Sequence, residues 1–178
     1  VSDTADGREA RDATVMTLTS ILPSLRASLP DPLDPTVWPA RTEATVDDVR
    51  VRAVSMQRLA AVAGTPCVHT AEQAPPRYRP RDWHPADVCV TVATVTRVRR
   101  PWGVVFVELD AAVPDCAVLT EVRVIGRRSV APVAEVTLAT NTTGTAGHEV
   151  LLPADVRVGD LVCFPCVRPL AHRDVVPR

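Results

Sequence analysis

The sequence predicts a mainly β protein: a small β-barrel or sandwich, of SH3-like or OB-like size, preceded by an N-terminal arm that contains a short helix. Three observations carry this reading. Beyond residue 86, short apolar runs are separated by turn residues every 8 to 12 positions or so, the spacing of an all-β domain. Aromatic residues make up only 3% of the 178 residues while 46% are hydrophobic, so valine, alanine and leucine must fill the core. Such side chains suit pleated, β-branched packing surfaces. Finally, the prolines gather at 30–39 and 75–85, outside the alternating runs.

Residues 1–13 hold few apolar anchors and are expected to form a flexible tail. The arm, 14–44, carries Leu18, Leu22, Leu25 and Leu29 at spacings of four, three and four, which places them on one helical stripe. Pro23 interrupts that stripe, so the helix opens there or kinks. The stripe serves either as a docking surface for a neighbouring subunit or as packing on the chain's own domain, the second being favoured. The run Leu29–Pro35, with prolines at 30, 32 and 35, reads as a stiff linker.

Segment 45–85 is read as strand, helix and extended chain. Val49, Val51 and Ala53 alternate with polar neighbours, as a half-exposed strand does. Ser55 is a suitable N-cap, Met56, Leu59, Ala60 and Ala63 share a helical face, and Gly64 with Pro66 ends the helix. The barrel is assigned to 86–170 and a C-terminal tail to 171–178. Within the barrel, Val88, Val90 and Val92 alternate and then lose phase at Ala93–Val95, the mark of a bulge or of a strand shared between two sheets. Further strands are predicted at 104–109, 119–125, 133–139, 148–152 and 161–167. Turns are expected at Pro101–Gly103 and Val158–Asp160, with a longer tip at Asn141–Gly147.

Composition excludes some chemistry. All 20 basic residues are arginine, so no lysine can form a Schiff base or a Walker-type phosphate contact. A formal net charge of −1 argues against holding duplex DNA by bulk electrostatics. No apolar run approaches the ~20 residues that span a bilayer, and the polar start lacks the apolar stretch of a secretory signal. No nucleophile elbow, HExxH, paired carboxylates or glycine-rich phosphate loop occurs, so no catalytic residues are assigned and a non-enzyme is expected.

Two constellations remain. Cys67 and His69, together with Cys163 and Cys166, supply the ligand number of a tetrahedral zinc site. A C-x-x-C pair alone is weak support for one. Buried thiols are therefore the preferred reading, with no cofactor. Arg97, Arg99, Arg100 and Trp102 cluster at one hairpin, and Arg77-Tyr78-Arg79-Pro80-Arg81-Asp82-Trp83-His84 interleaves arginine with aromatics. Small barrels hold single-stranded nucleic acid on such surfaces. A subunit-facing patch is the commoner use of these residues.

In residue usage the chain resembles the small virion proteins of phages that infect actinobacteria, especially head-to-tail connector or neck components. The lysine-free Val, Arg, Ala and Pro usage carries the resemblance, with Ala63–Thr70 and Val158–Val162, across residues 16–170. It implies a ring-forming subunit that joins and seals portal and tail, located in the virion after synthesis in the host cytoplasm. Its partners would be other copies of itself and neighbouring virion proteins, through Leu18, Leu22, Leu25, Leu29, Arg97, Arg99, Arg100 and Trp102, with no membrane. A capsid decoration or tail protein would share these parts. The rivals are a barrel that binds single-stranded nucleic acid and a zinc-stabilised domain of unknown activity.

Overall fold

The computed structural model describes residues 28–139 and 147–177. The protein is mainly β, with curled sheets forming a half-barrel and, among the described residues, one α-helix against it. A small antiparallel meander comes first: β1 (Thr42–Ala44), β2 (Val49–Val51) and β3 (Val54–Ser55), in the order β1-β2-β3. Arg52 and Ala53 both take positive φ, the backbone that a two-residue hairpin turn requires even without glycine.

Helix α1 (Met56–Ala63) begins and ends where the sequence places it. The Ser55 hydroxyl accepts from the Arg58 backbone N–H at 2.9 Å, and Gly64 leaves the helix at φ 77°. Asp48 adds a second N-terminal acceptor, taking the Gln57 N–H at 3.0 Å. Ser55→Ala is expected to lower stability by about 1 kcal/mol, measured by urea unfolding; an unchanged midpoint would mean that Asp48 alone suffices.

The main sheet comprises β4 (Cys67–Glu72), β5 (Asp87–Arg99), β6 (Val105–Leu109), β7 (Arg123–Ile125), β8 (Val133–Ala139), β9 (His148–Pro153) and β10 (Leu161–Cys166). Its order is β7-β10-β5-β6-β8-β9, with β4 also pairing on β5. The long β5 is the hinge of the design. Its first half pairs with β4 and β10, its second half with β6, and the register shifts between Val95 and Arg97. The phase slip in the sequence therefore marks both a bulge and a strand shared between two parts of the sheet. Edge strand β4 runs antiparallel along β5 from Cys67 opposite Val92 to Glu72 opposite Asp87, so the chain is continuous across residue 85.

Side chains alternate across a strand, so β5 and β10 feed two cores. Cys89, Ala93 and Val95, with Val162, Phe164 and Cys166, face the half-barrel interior and meet Val107, Leu109, Val136, Leu138, Val150 and Leu152. Val90, Val92 and Cys163 face outward and are covered by Trp38, Val49, Val51, Met56 and Ala60. Pro165 fits within β10 because its carbonyl accepts from Val118 N–H at 2.9 Å, which puts its nitrogen toward the irregular 117–118 segment, away from β5.

Two elements differ from the sequence expectation, and one strand pairing adds what the sequence did not specify. Residues 119–125 form a single 3-10 turn at Leu119–Glu121 before the short β7. Strand β8 pairs with β6 in parallel, because the connection between them crosses over and contributes β7 on the far side of β5. The proline-rich 30–39 stretch is held in place: Trp38 is 1% exposed, Pro39 bridges to Gln73, and Arg123 donates to the carbonyls of Asp31 and Pro32. A buried indole outweighs the extended bias of the surrounding prolines. The predicted tip at 141–147 and the leucines at 18, 22 and 25 lie outside the described residues, apart from Gly147 itself.

Candidate docking surface

Trp102 is fully exposed at the tip of the β5–β6 hairpin. A one-turn 3-10 element, Pro101–Gly103, makes the tip, and Trp102 within it has φ 49° and ψ 32°. A bulky residue in the left-handed region costs on the order of 1–3 kcal/mol and persists where its surroundings, or its use, require it. Val104 N–H closes the turn onto Pro101 O at 3.0 Å, and Val104 itself is about half exposed. The result is an apolar knob on a short, hydrogen-bonded stalk.

The three arginines grouped with Trp102 in the sequence brace that stalk. Arg99 pairs with Glu108 at 2.5 Å and Arg97 with the same carboxylate at 3.7 Å, across the β5–β6 ladder. Arg100 reaches the other way, donating to the carbonyls of Val156 at 3.0 Å and Ala154 at 3.2 Å. The Arg97 and Arg99 side chains stay more than half exposed, so they also form the polar rim of the knob.

The second basic and aromatic cluster is elsewhere. Residues 77–84 lie in the loop before β5 begins at Asp87, whereas Trp102 follows its other end at Arg99. At ~3.3 Å per residue the two clusters are about 40 Å apart along the strand. They do not make one surface. In that loop Arg77 lies over the Tyr78 ring at 5.8 Å and Arg79 over Trp83 at 5.0 Å, so each ring already has a cation on a face.

Leu29 is 52% exposed where the described chain begins. It lines a cleft of about 290 Å³ between the outer strands β7 and β9 of the half-barrel, with Arg123, Ile125, Leu151 and Pro153. Polar groups in the cleft are engaged: Asp48 accepts from the Val49 and Gln57 backbone N–H groups, and Ser129 donates to Asp155. Arg123 is bound by Glu121 and two carbonyls, although its Nε has no partner.

The four zinc candidates do not converge. Cys67 and Cys163 share a face of the sheet but sit on either side of β5, each opposite Val92. Two strand spacings, about 10 Å, separate them, whereas two thiolates at ~2.3 Å from one zinc must lie within about 4 Å of each other. Cys166, three residues from Cys163 on the same strand, faces the other core. His69, half-buried beside Cys67 on β4, has its imidazole held below its ordinary pKa by burial. Among the described residues no three His, Cys, Asp or Glu side chains are grouped to hold a metal ion.

Sequence reasoning did not single out Cys89 and Cys116, which join Cys166 in the inner core. No spacing could have shown it, because strand register brings them together. It also passed over Trp38, although an isolated tryptophan in a proline-rich stretch is itself a sign of a buried anchor. No family model matches the chain, and no curated protein is significantly similar to it.

Proposed function

We propose that the chain is a subunit of a protein assembly that docks through the Trp102 hairpin tip, and that the assembly is of the head-to-tail connector type that its residue usage resembles. The observation that carries this reading is a fully exposed tryptophan held in left-handed backbone at the end of a braced hairpin. Exposed tryptophan with arginine around it is the composition of interface hot spots. A ring uses head-to-tail contacts, in which the tip of one copy meets a different surface of the next. Such a subunit joins and seals by geometry and contact area alone.

Native mass spectrometry and sedimentation of the chain test the reading. A closed oligomer is expected, with Trp102→Ala weakening association at least tenfold while its unfolding midpoint stays within error of the wild type. A monomer at every concentration, with oligonucleotide affinity that falls steeply with salt, would favour the nucleic-acid alternative through the 77–84 loop.

A further inference from the structure

Five cysteines are buried, and strand register divides four of them into two pairs. Cys89 on β5 is directly opposite Cys166 on β10, and both side chains point into the inner core. Directly opposed residues in an antiparallel pair have Cα atoms about 4.5–5.5 Å apart, inside the ~4.4–6.8 Å that a disulfide spans. The Cys166 sulfur is also within 3.6 Å of the Thr91 hydroxyl on the same strand as Cys89. Cys67 and Cys163, two strand spacings apart, exceed that span. The structure therefore holds a matched pair and, on the other face, an unmatched one.

The surroundings of the matched pair differ from an inert apolar core. The Cys89 thiol donates to Arg168 O at 3.2 Å. The neighbouring Cys166 holds the Cys89 thiol below its ordinary pKa despite burial, while Cys89 and burial push the Cys166 thiol up. Arg168 and Leu170 belong to the segment that follows β10 and covers the pair. With Pro114, Asp115 and Pro169 they line a surface hollow, while Cys89 and Cys166 are both fully buried beneath the segment.

We propose that Cys89 and Cys166 form a thiol–disulfide redox pair that is oxidised by a low-molecular-weight disulfide when the segment carrying Arg168 and Leu170 lifts away from them at this hollow. The Cys89 thiolate attacks one sulfur of the oxidant; its S–S bond breaks, and the leaving thiolate takes up the proton that Cys89 released. Cys166 then attacks the Cys89 sulfur of the mixed disulfide, releasing the second small thiol with the Cys166 proton. Two protein thiols are oxidised and one small disulfide is reduced to two thiols. The product staples β5 to β10 at the end of their ladder, beneath the C-terminal segment. Cys116, 8% exposed, lies on the irregular segment beside β10, its carbonyl accepting from Val167 N–H at 3.1 Å, and is not a member of the pair.

Oxidised glutathione applied to the folded chain tests this, followed by denaturation, alkylation and peptide mapping. The expected product is 2 Da lighter, alkylates at three cysteines, and yields a Cys89–Cys166 linked peptide. Cys67→Ser is expected to oxidise like the wild type. Cys89→Ser and Cys166→Ser are expected to lose the linkage, and mapping of the wild type stands alone if either fails to fold. Five alkylated cysteines after exposure, a lasting glutathione adduct, or a linkage through Cys67, Cys116 or Cys163 would each overturn the proposal.

Discussion

Trp38→Ala is expected to destabilise the protein by about 3–5 kcal/mol, the range for removing a fully buried large aromatic. The indole is the largest side chain buried in the chain, and it packs with Val49, Val51 and Met56 over the outer face of β5 and β10. Its Nε1–H donates to Glu121 at 2.8 Å, so truncation also removes one of the three donors to that carboxylate. Trp38→Phe separates the two effects, keeping most of the apolar area and losing the bond, for an expected loss of about 1.5–3 kcal/mol.

The same pair of variants carries a pH signature. Burial alone would raise the Glu121 pKa, but the bonds from Trp38, Arg123 and the Asp34 N–H outweigh it and hold the carboxyl below its ordinary value. A carboxyl with a lowered folded-state pKa adds stability above its unfolded value, and loses it as pH falls through the folded one. The gap between wild type and Trp38→Phe is thus expected to narrow below about pH 4. Chemical denaturation at pH 3 and pH 7 would measure it. A gap that is constant or wider at pH 3 would show that the indole bond does not contribute through Glu121.

Arg127→Met is expected to be of similar severity, about 3–5 kcal/mol, because it strands a buried carboxylate. Arg127 binds Asp160 through two bonds of 2.7 Å and Asp155 through a further 2.8 Å contact. The Asp160 side chain is only 4% exposed, and its bonds, with those of Asp155, hold the guanidinium above its ordinary pKa. Asp160 sits in the turn that docks on the β5 bulge, where Val95 N–H donates to Asp160 O at 2.8 Å and Gly159 N–H to Val95 O at 2.9 Å. Removing Asp160 as well, as Arg127→Met/Asp160→Asn, is expected to recover part of the loss. A double variant less stable than Arg127→Met alone would mean that the turn needs the full carboxylate even without Arg127, and not merely an acceptor for Arg157 N–H.

What local pattern could decide, it decided. The β class, helix α1 with Ser55 and Gly64 at its ends, and the β5 phase slip are all properties of neighbouring residues, because cap chemistry, 3.6-residue periodicity and period-2 alternation act over a few positions. What depends on partners far along the chain was settled only by the tertiary structure. The 30–39 stretch looks like a linker until Trp38 meets the β5–β10 face and Glu121, 83 residues away. The parallel β6–β8 pair follows from a crossover whose sense local sequence does not encode.

The cysteines show the division most sharply. Cys163 and Cys166 look like a pair in the sequence, yet a separation of three on a strand turns them to opposite faces. Cys89 and Cys166, far apart in the sequence, are brought face to face by a register that the burial of alternate side chains on β5 and β10 selects. Trp102 stands between the two cases. Its place at a hairpin tip was legible from Pro101 and Gly103, whereas its full exposure and left-handed backbone emerge only once Glu108, Ala154 and Val156 have taken up the arginines beside it.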